Sequence, residues 1–326
     1  MDAKITKVRL SRMLSYDWLK IVGLCLAAIL VWSLVFTMTE TRITPAQEFY
    51  VFNHSQNLSF TQTNFDQDYN KALDNGVFSH EVLENAYADL TMEESSSAGT
   101  LLSTRMATSQ GDLIFIPPLE DSTYQQQSGY AVESYTCVES FALSWGSNLV
   151  DLDEYFSAME SYLNRYYQGD WTNENNRDDA KIEADFRARV TANKDKRYRK
   201  EEKLLKGIKD DIERIEKYRD ALEKFNEYVA SGYVEFVEVT CLDAEKGEPL
   251  YYSGKKLALN ICPDESKMGN LKEVVAYAAT DETSGNTYKT AKDMHISFIR
   301  FKDEDANYRY ENLLYVNYLL DTYSTK

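Results

Sequence analysis

The sequence predicts an α/β domain built on a parallel sheet, tethered behind one apolar helix and interrupted by a charged helical hairpin. Three observations predict it. Ile21 to Met38 is an eighteen-residue stretch without a charge, about the minimum that spans the hydrocarbon core of a bilayer. Between residues 48 and 116, three short strand-like runs are separated by connections of more than twenty residues, each with room for one helix. Parallel crossovers need that much chain, whereas hairpins need only a few residues. Residues 177–230 then become dense in charge, with Leu205, Ile208, Ile212, Ile215 and Leu222 at heptad spacing and Arg219 at the skipped seam position.

The apolar run is preceded by Lys4, Lys7, Arg9, Arg12 and Lys20 against only Asp2 and Asp17. Flanking positive charge stays inside, so the expectation is a cytoplasmic tail (1–20), a transmembrane helix (21–38) and an extracellular C-terminal domain. A cleavable signal peptide is the rival reading, but FTMTETRITP lacks a small-x-small cleavage site. Cys25 follows Leu24 near the beginning of the run, which does not suit a lipoprotein.

A linker (39–47) leads to the first part of the α/β core (48–170). EFYVF (48–52) is an aromatic and β-branched run that reads as a buried strand. Tyr69, Ala72 and Leu73 share a helical face that Asn75-Gly76 terminates. Alternation within residues 79–85 predicts a second strand, and Ser95 to Ser97 can cap a helix running to about Thr108. Leu113 to Ile116 (LIFI) is uninterrupted, as suits a strand covered on both faces. Its carboxyl end points Pro117-Pro118-Leu119-Glu120-Asp121 at the crevice where open α/β sheets bind ligands.

Asp151 with Glu154 opens an amphipathic helix that Gly169 ends. The charged insertion (171–231) is predicted as two helices, 177–194 and 199–230, turning near Asn193 to Arg197. Its narrow apolar seam favours packing within the chain over an intermolecular coiled coil. Lys194, Lys196, Arg197, Arg199 and Lys200 cluster at the turn, either as solvated surface or as a contact for an anionic wall polymer or lipid headgroups. The second part of the core (232–326) has strand signals at 233–239, 255–261 and 295–301. A helix through Leu271, Val274, Val275 and Ala278 and a closing helix over 307–323 complete the prediction.

Charge and motifs exclude several functions. Residues after Met38 hold 31 basic and 51 acidic side chains, a surface that repels nucleic acid and anionic lipid. Three cysteines in that region are too few for a disulfide scaffold, though Cys241 and Cys262 are a candidate pair. The histidines His54, His80 and His295 lie in separate elements, His80-Glu81 lacks the second zincin histidine, and Asp66 to Val77 lacks the Gly and Glu of a calcium loop. No phosphate loop, nucleophile elbow or dinucleotide fingerprint occurs, so neither an enzyme nor a bound cofactor or metal is expected. The 24 tyrosines suit sugar stacking or an adaptable binding surface as well as core packing.

Two segments carry a resemblance. SQGDLIFIP (109–117) resembles the third-strand motif of the extracellular solute-binding proteins of ABC transporters. FALSWGSNLVDLDEYF (141–156) is similar to the segment in which that family's small-residue turn leads into a helix, and ENLLYVNYLLDTY resembles its C-terminal lobe-packing helix. The resemblance implies a solute-binding-protein-like core that takes a sugar, peptide or ion and serves a membrane permease at a bacterial cell surface. It assigns ligand contacts to Asn53, His54 and Ser55 after the first strand, to Pro117, Glu120 and Asp121 after the third, and to Trp145 as a stacking residue. A cell-surface interaction module that uses the helical hairpin and binds no small molecule remains the alternative.

Overall fold

The computed structural model describes residues 7–39, 47–54, 60–63, 65–90, 95–108, 110–118, 137–241, 248–250, 252–281, 283–300 and 310–325. It divides into two units, residues 1–43 and 44–326. The first contains one helix, α1 (Lys7–Thr39), whose segment Trp18–Thr37 is long and apolar enough to cross a membrane and has no buried residue.

In the second unit the chain runs through β1 (Glu48–His54), β2 (Phe60–Thr63), α2 (Phe65–Asp74), β3 (Glu84–Leu90), α3 (Ser95–Ala107) and β4 (Leu113–Ile116). Helices α4 (Cys137–Trp145), α5 (Leu152–Tyr166), α6 (Asp179–Ala192) and α7 (Glu201–Ala230) follow. After β5 (Glu235–Glu238) and β6 (Lys256–Asn260) come the short α8 (Glu265–Met268), then β7 (Val275–Thr280), β8 (Thr287–Thr290), β9 (His295–Phe298) and α9 (Glu311–Tyr323).

Six strands form one sheet in the order β3-β1-β4-β9-β6-β5. β1 pairs in parallel with both β3 and β4, as their long connections require. β4, β9, β6 and β5 then pair antiparallel in succession. Four strands therefore point one way, with β9 and β5 against them, so the sheet is mixed and not wholly parallel as the sequence suggested. All four residues of LIFI are buried, because helices cover both faces.

Register separates the two faces. Phe49, Val51, Leu113, Phe115, Ile296 and Phe298 join the larger core with α2, α5, α7 and α9. Tyr50, Phe52, Ile114 and Ile116 join the smaller one with α3 and α4. The chain moves from β1 outward to β3 and then back across to β4, so right-handed crossovers must place α2 and α3 on opposite faces. Ala72 of α2 and Leu102 of α3 lie in opposite cores accordingly.

At the start of β4, Gly111 has a φ of +122° and a Cβ there would lie 2.4 Å from the Phe52 ring. Asp112 beside it is buried, and its carboxylate accepts the Tyr50 N–H at 2.7 Å. The Gly-Asp pair that opens the strand thus serves close packing and β1 pairing at the amino edge of the sheet.

Several expectations shift. The second strand lies at 84–90, because residues 79–83 are committed to turn contacts: Ser79 N–H donates to Glu311 and Leu83 N–H to the Gln47 carbonyl. Residues 269–273 form a 3-10 turn and 275–280 a strand, where a helix was expected. Val275, Tyr277 and Ala279 alternate into the core while β2 and β8 pair on either side. The β-branched Val274-Val275 pair suits that strand, and an apolar run this short does not reveal its period. α4, β2 and β8 were not foreseen. Cys241 and Cys262 are free thiols buried in different cores, so the candidate bridge does not form.

The charged segment is woven into the larger core. Ile182 of α6 and Ile215, Tyr218, Leu222 and Phe225 of α7 are buried there, whereas Leu205, at the head of the heptad seam, is 53% exposed. Tyr218 and Phe225 widen the seam because α7 also packs against α9, where Asn317 Nδ2 donates to the Ala221 carbonyl at 2.7 Å. At the other end of α7, Gly207 lies under the rings of Phe186 and Tyr198, which meet edge to face.

A Cβ at Gly207 would fall 2.5 Å from Tyr198 and 2.6 Å from Phe186. Alanine in a helix interior ordinarily gains ~1 kcal/mol over glycine. Here Gly207→Ala is expected to destabilise by about 1–3 kcal/mol through overpacking. Denaturant unfolding of the two proteins checks this, and a more stable variant would show that α6 and α7 do not meet at this glycine.

Candidate functional site

In an open α/β sheet, ligands bind outside the carboxyl ends of the strands where the order of connection reverses. That reversal lies between β1 and β4, since the chain leaves β1 for β3 on one side and returns to β4 on the other. Asn53 ends the described core of β1 and pairs with Phe115, while Pro117 follows β4 directly. Both are buried. The two loops assigned to ligand contact therefore leave the sheet on either side of its switch point.

Asn53 lies on the larger-core face, next but one to Val51 along β1. Its carboxamide Nδ2 donates to the Tyr87 hydroxyl at 3.3 Å, and its Oδ1 has no hydrogen-bond partner. A wholly buried acceptor left unpaired costs about 1–3 kcal/mol, so this oxygen suits a donor from outside the fold. The backbone of His54 closes β1 opposite Leu90. Ser55, Glu120 and Asp121 lie outside the described residues.

Strand pairing adds residues that sequence reasoning did not assign to a site. His295 opens β9 opposite Ile116 and, on its other side, opposite Asn260. Burial pushes its imidazole down to about 4, against smaller upward effects from Asp293 and the Ile116 carbonyl. It is therefore neutral at pH 7, and its Nδ1 has no hydrogen-bond partner. Asn260 is held by Asp293, to which its Nδ2 donates at 2.8 Å. His295 shares a sheet face with Ile116, opposite to that of Asn53, so the two unpaired acceptors belong to different sides of the edge. Only strand pairing, which a single sequence does not display, brings His295 to this place.

Trp145 is placed elsewhere. It ends α4, half-buried against the smaller core, and Leu149 just beyond it bridges Ile299 at the amino edge. A cavity of about 50 Å³ near that edge is lined by Gly146, Asp151, Tyr252, Lys255 and Arg300 among others. A wider pocket of about 280 Å³ lies over Tyr167, Glu174, Arg177, Asp179, Glu216 and Arg219. Its charges are already matched, with Arg177 paired to Asp179 and Glu216, and Arg219 to Glu174. Among the described residues no cluster of three or more His, Cys, Asp or Glu side chains is arranged to hold a metal ion.

Comparison of the chain with protein-family models, with curated proteins and with solved structures finds no match.

The buried histidine gives the fold a pH dependence with a definite sign. Its folded pKa of about 4 lies below the unfolded value of 6.5, so between those values the unfolded chain binds more protons and stability falls as pH falls. The contribution is about 3 kcal/mol across that window. Denaturation midpoints of the wild type and His295→Asn at pH 7 and pH 4 should show the wild type losing more stability by this amount. Equal losses would mean that the imidazole is not held neutral.

Proposed function

We propose that this protein is a single-pass, membrane-anchored binding or accessory component with its N-terminus cytoplasmic and residues 44–326 outside. In this reading the domain takes a small polar solute at the carboxyl edge of its sheet and presents it to a membrane partner such as an ABC permease. The observation that carries the binding part is the switch point between β1 and β4, where Asn53 keeps a buried carboxamide oxygen free. An acceptor of that kind selects a ligand with a hydroxyl, amide or ammonium donor. The resemblance of SQGDLIFIP to a solute-binding third strand supports the same edge, and the exposed apolar α1 supports the anchor.

The alternative, an interaction module built on the charged helices, has less to stand on. Their apolar stripe is spent on the domain's own core, as Ile182, Phe186, Ile215 and Phe225 show. What they leave outside is mainly charged.

Topology and binding are tested separately. Protease added to intact cells is expected to remove residues 44–326, while alkaline carbonate leaves α1 in the membrane. Protection of the domain until the membrane is permeabilised would reverse the orientation, and release of a shortened chain would replace the anchor with a cleaved signal. For binding, a panel of sugars, short peptides and cations is expected to contain a member that raises the melting temperature of the full chain. Asn53→Ala should lose that shift while remaining folded. A broad panel that gives no shift counts against the solute.

A further inference from the structure

The turn between α6 and α7 is a basic segment of an acidic domain. Residues 193–206 hold seven basic and three acidic side chains, whereas the rest of the chain after Met38 holds 24 basic and 48 acidic. Two of the local charges neutralise each other, since Arg197 pairs with Asp195 at 2.8 Å. Glu201 is taken by Arg187. Lys194, Lys196, Arg199, Lys200, Lys203 and Lys206 are exposed and have no ion-pair partner among the described residues. Glu202 is the one exposed acid of the segment that also stands unpaired. Leu205, half exposed, lies between the last two lysines.

The position of this turn gives the charge a meaning. Arg197 reaches back 3.5 Å to Glu81. Two residues further, Leu83 N–H donates to the carbonyl of Gln47 at 2.8 Å. Gln47 is where the described chain enters the domain, eight residues beyond Thr39 at the end of α1. Eight residues of extended chain span at most about 28 Å. The cationic turn thus sits at the edge of the domain to which the apolar helix is joined, opposite the carboxyl edge with Asn53 and Pro117.

We propose that the 193–206 turn is a docking surface for anionic lipid headgroups of the membrane that holds α1. This rests on the reading of α1 as a membrane span. Clustered lysines and arginines are drawn to anionic bilayers, and the attraction decays within a Debye length. The acidic remainder of the domain is repelled by the same surface, so the two effects together favour one orientation. Lipid is preferred over a wall polymer because the patch lies at the edge where the chain enters the domain, only eight residues after α1, so that headgroups of the membrane holding α1 are at high local concentration.

The test uses the full chain in nanodiscs of phosphatidylcholine alone or with phosphatidylglycerol at about one lipid in three, a content at which clustered basic residues are drawn to the surface. Amide hydrogen exchange of residues 193–206 is expected to slow severalfold in the anionic discs. The protection should disappear in high salt and in the variant K194Q/K196Q/R199Q/K200Q, whose exposed changes leave thermal unfolding unaltered. Retention of the chain in the discs after alkaline wash reads α1 independently of the turn. Retention with equal exchange in both lipids overturns the docking surface while the anchor stands. Loss of the chain from the discs overturns the anchor and the docking surface with it. Protection by soluble poly(glycerol phosphate), but not by anionic discs, would assign the turn to a polymer instead and overturn the lipid assignment.

Discussion

A buried carboxylate, Glu81, organises one end of the domain. Its side chain is almost wholly removed from water, a state that costs several kcal/mol for an ion unless opposite charge is brought in with it. His80 lies 3.3 Å from it, Arg197 3.5 Å and Arg189 3.7 Å. Arg189 in turn reaches Asp211, which also holds the buried Arg214. Burial alone would raise the Glu81 pKa, but His80, Arg214 and Arg197 together outweigh it and hold the group at about 2. The cluster is one of ion contacts more than of ideal hydrogen bonds, since Arg214 Nε and Nη1 have no hydrogen-bond partner. Its consequence is positional: the loop before β3, the end of α6, the turn after it and the middle of α7 are drawn to one place.

That place lies at the amino edge of the sheet, and buried polar groups occur at both edges. At the amino edge several are engaged, although Glu81 Oε2, Arg214 Nε and Nη1 and Asn312 Oδ1 have no hydrogen-bond partner. Asp112 accepts from Tyr50, Asn312 donates to the Asp112 carbonyl, and Glu311 accepts from Ser79 and from the Tyr218 hydroxyl. Lys217 clamps the carbonyls of Gly76 and Phe78. At the carboxyl edge Asn53 Oδ1 and His295 Nδ1 are likewise buried without partners. Buried polar groups are ordinarily satisfied; exceptions stand at both the amino and the carboxyl edge, and what separates the two is position. The first carries the chain's connection to α1; the second is where a sheet of this connectivity takes ligands.

The sequence disclosed what depends on neighbours along the chain. LIFI is legible as a central strand because four consecutive apolar residues need cover on both faces. The start of α5 is legible because Asp151 accepts the Asp153 N–H, a bond made within three residues. The charged helices are legible from their seam, although the seam did not show that Tyr218 and Phe225 would widen it toward α9. What stayed hidden depends on distant partners. β3 begins at Glu84 and not earlier because Ser79 is bound by a carboxylate 232 residues away. β7 is a strand because β2 and β8 supply its ladders. Of the site, the two loops were readable from the order of elements, but His295 joins them only through the pairing of β9 with β4.

The abundance of tyrosine, which composition alone leaves between sugar stacking and packing, acquires a further physical reason in α9. Tyr315 and Tyr318 each donate to Asp68 at 3.1 Å, and Tyr323 donates to it as well. Tyr218 does the same for the buried Glu311 at 2.6 Å. Burial raises both carboxyl groups, and these hydrogen bonds lower them again only in part. A lysine in such a position would bring a second charge to desolvate, whereas a phenol brings a donor on an apolar ring that packs like its neighbours. Tyr315 shows both roles at once, with its hydroxyl on Asp68 and its ring against Phe49 and Phe78. The domain thus buries carboxylates in two ways, Asp68 and Glu311 with tyrosine hydroxyls and Glu81 and Asp211 with arginines, of which Arg214 is itself buried.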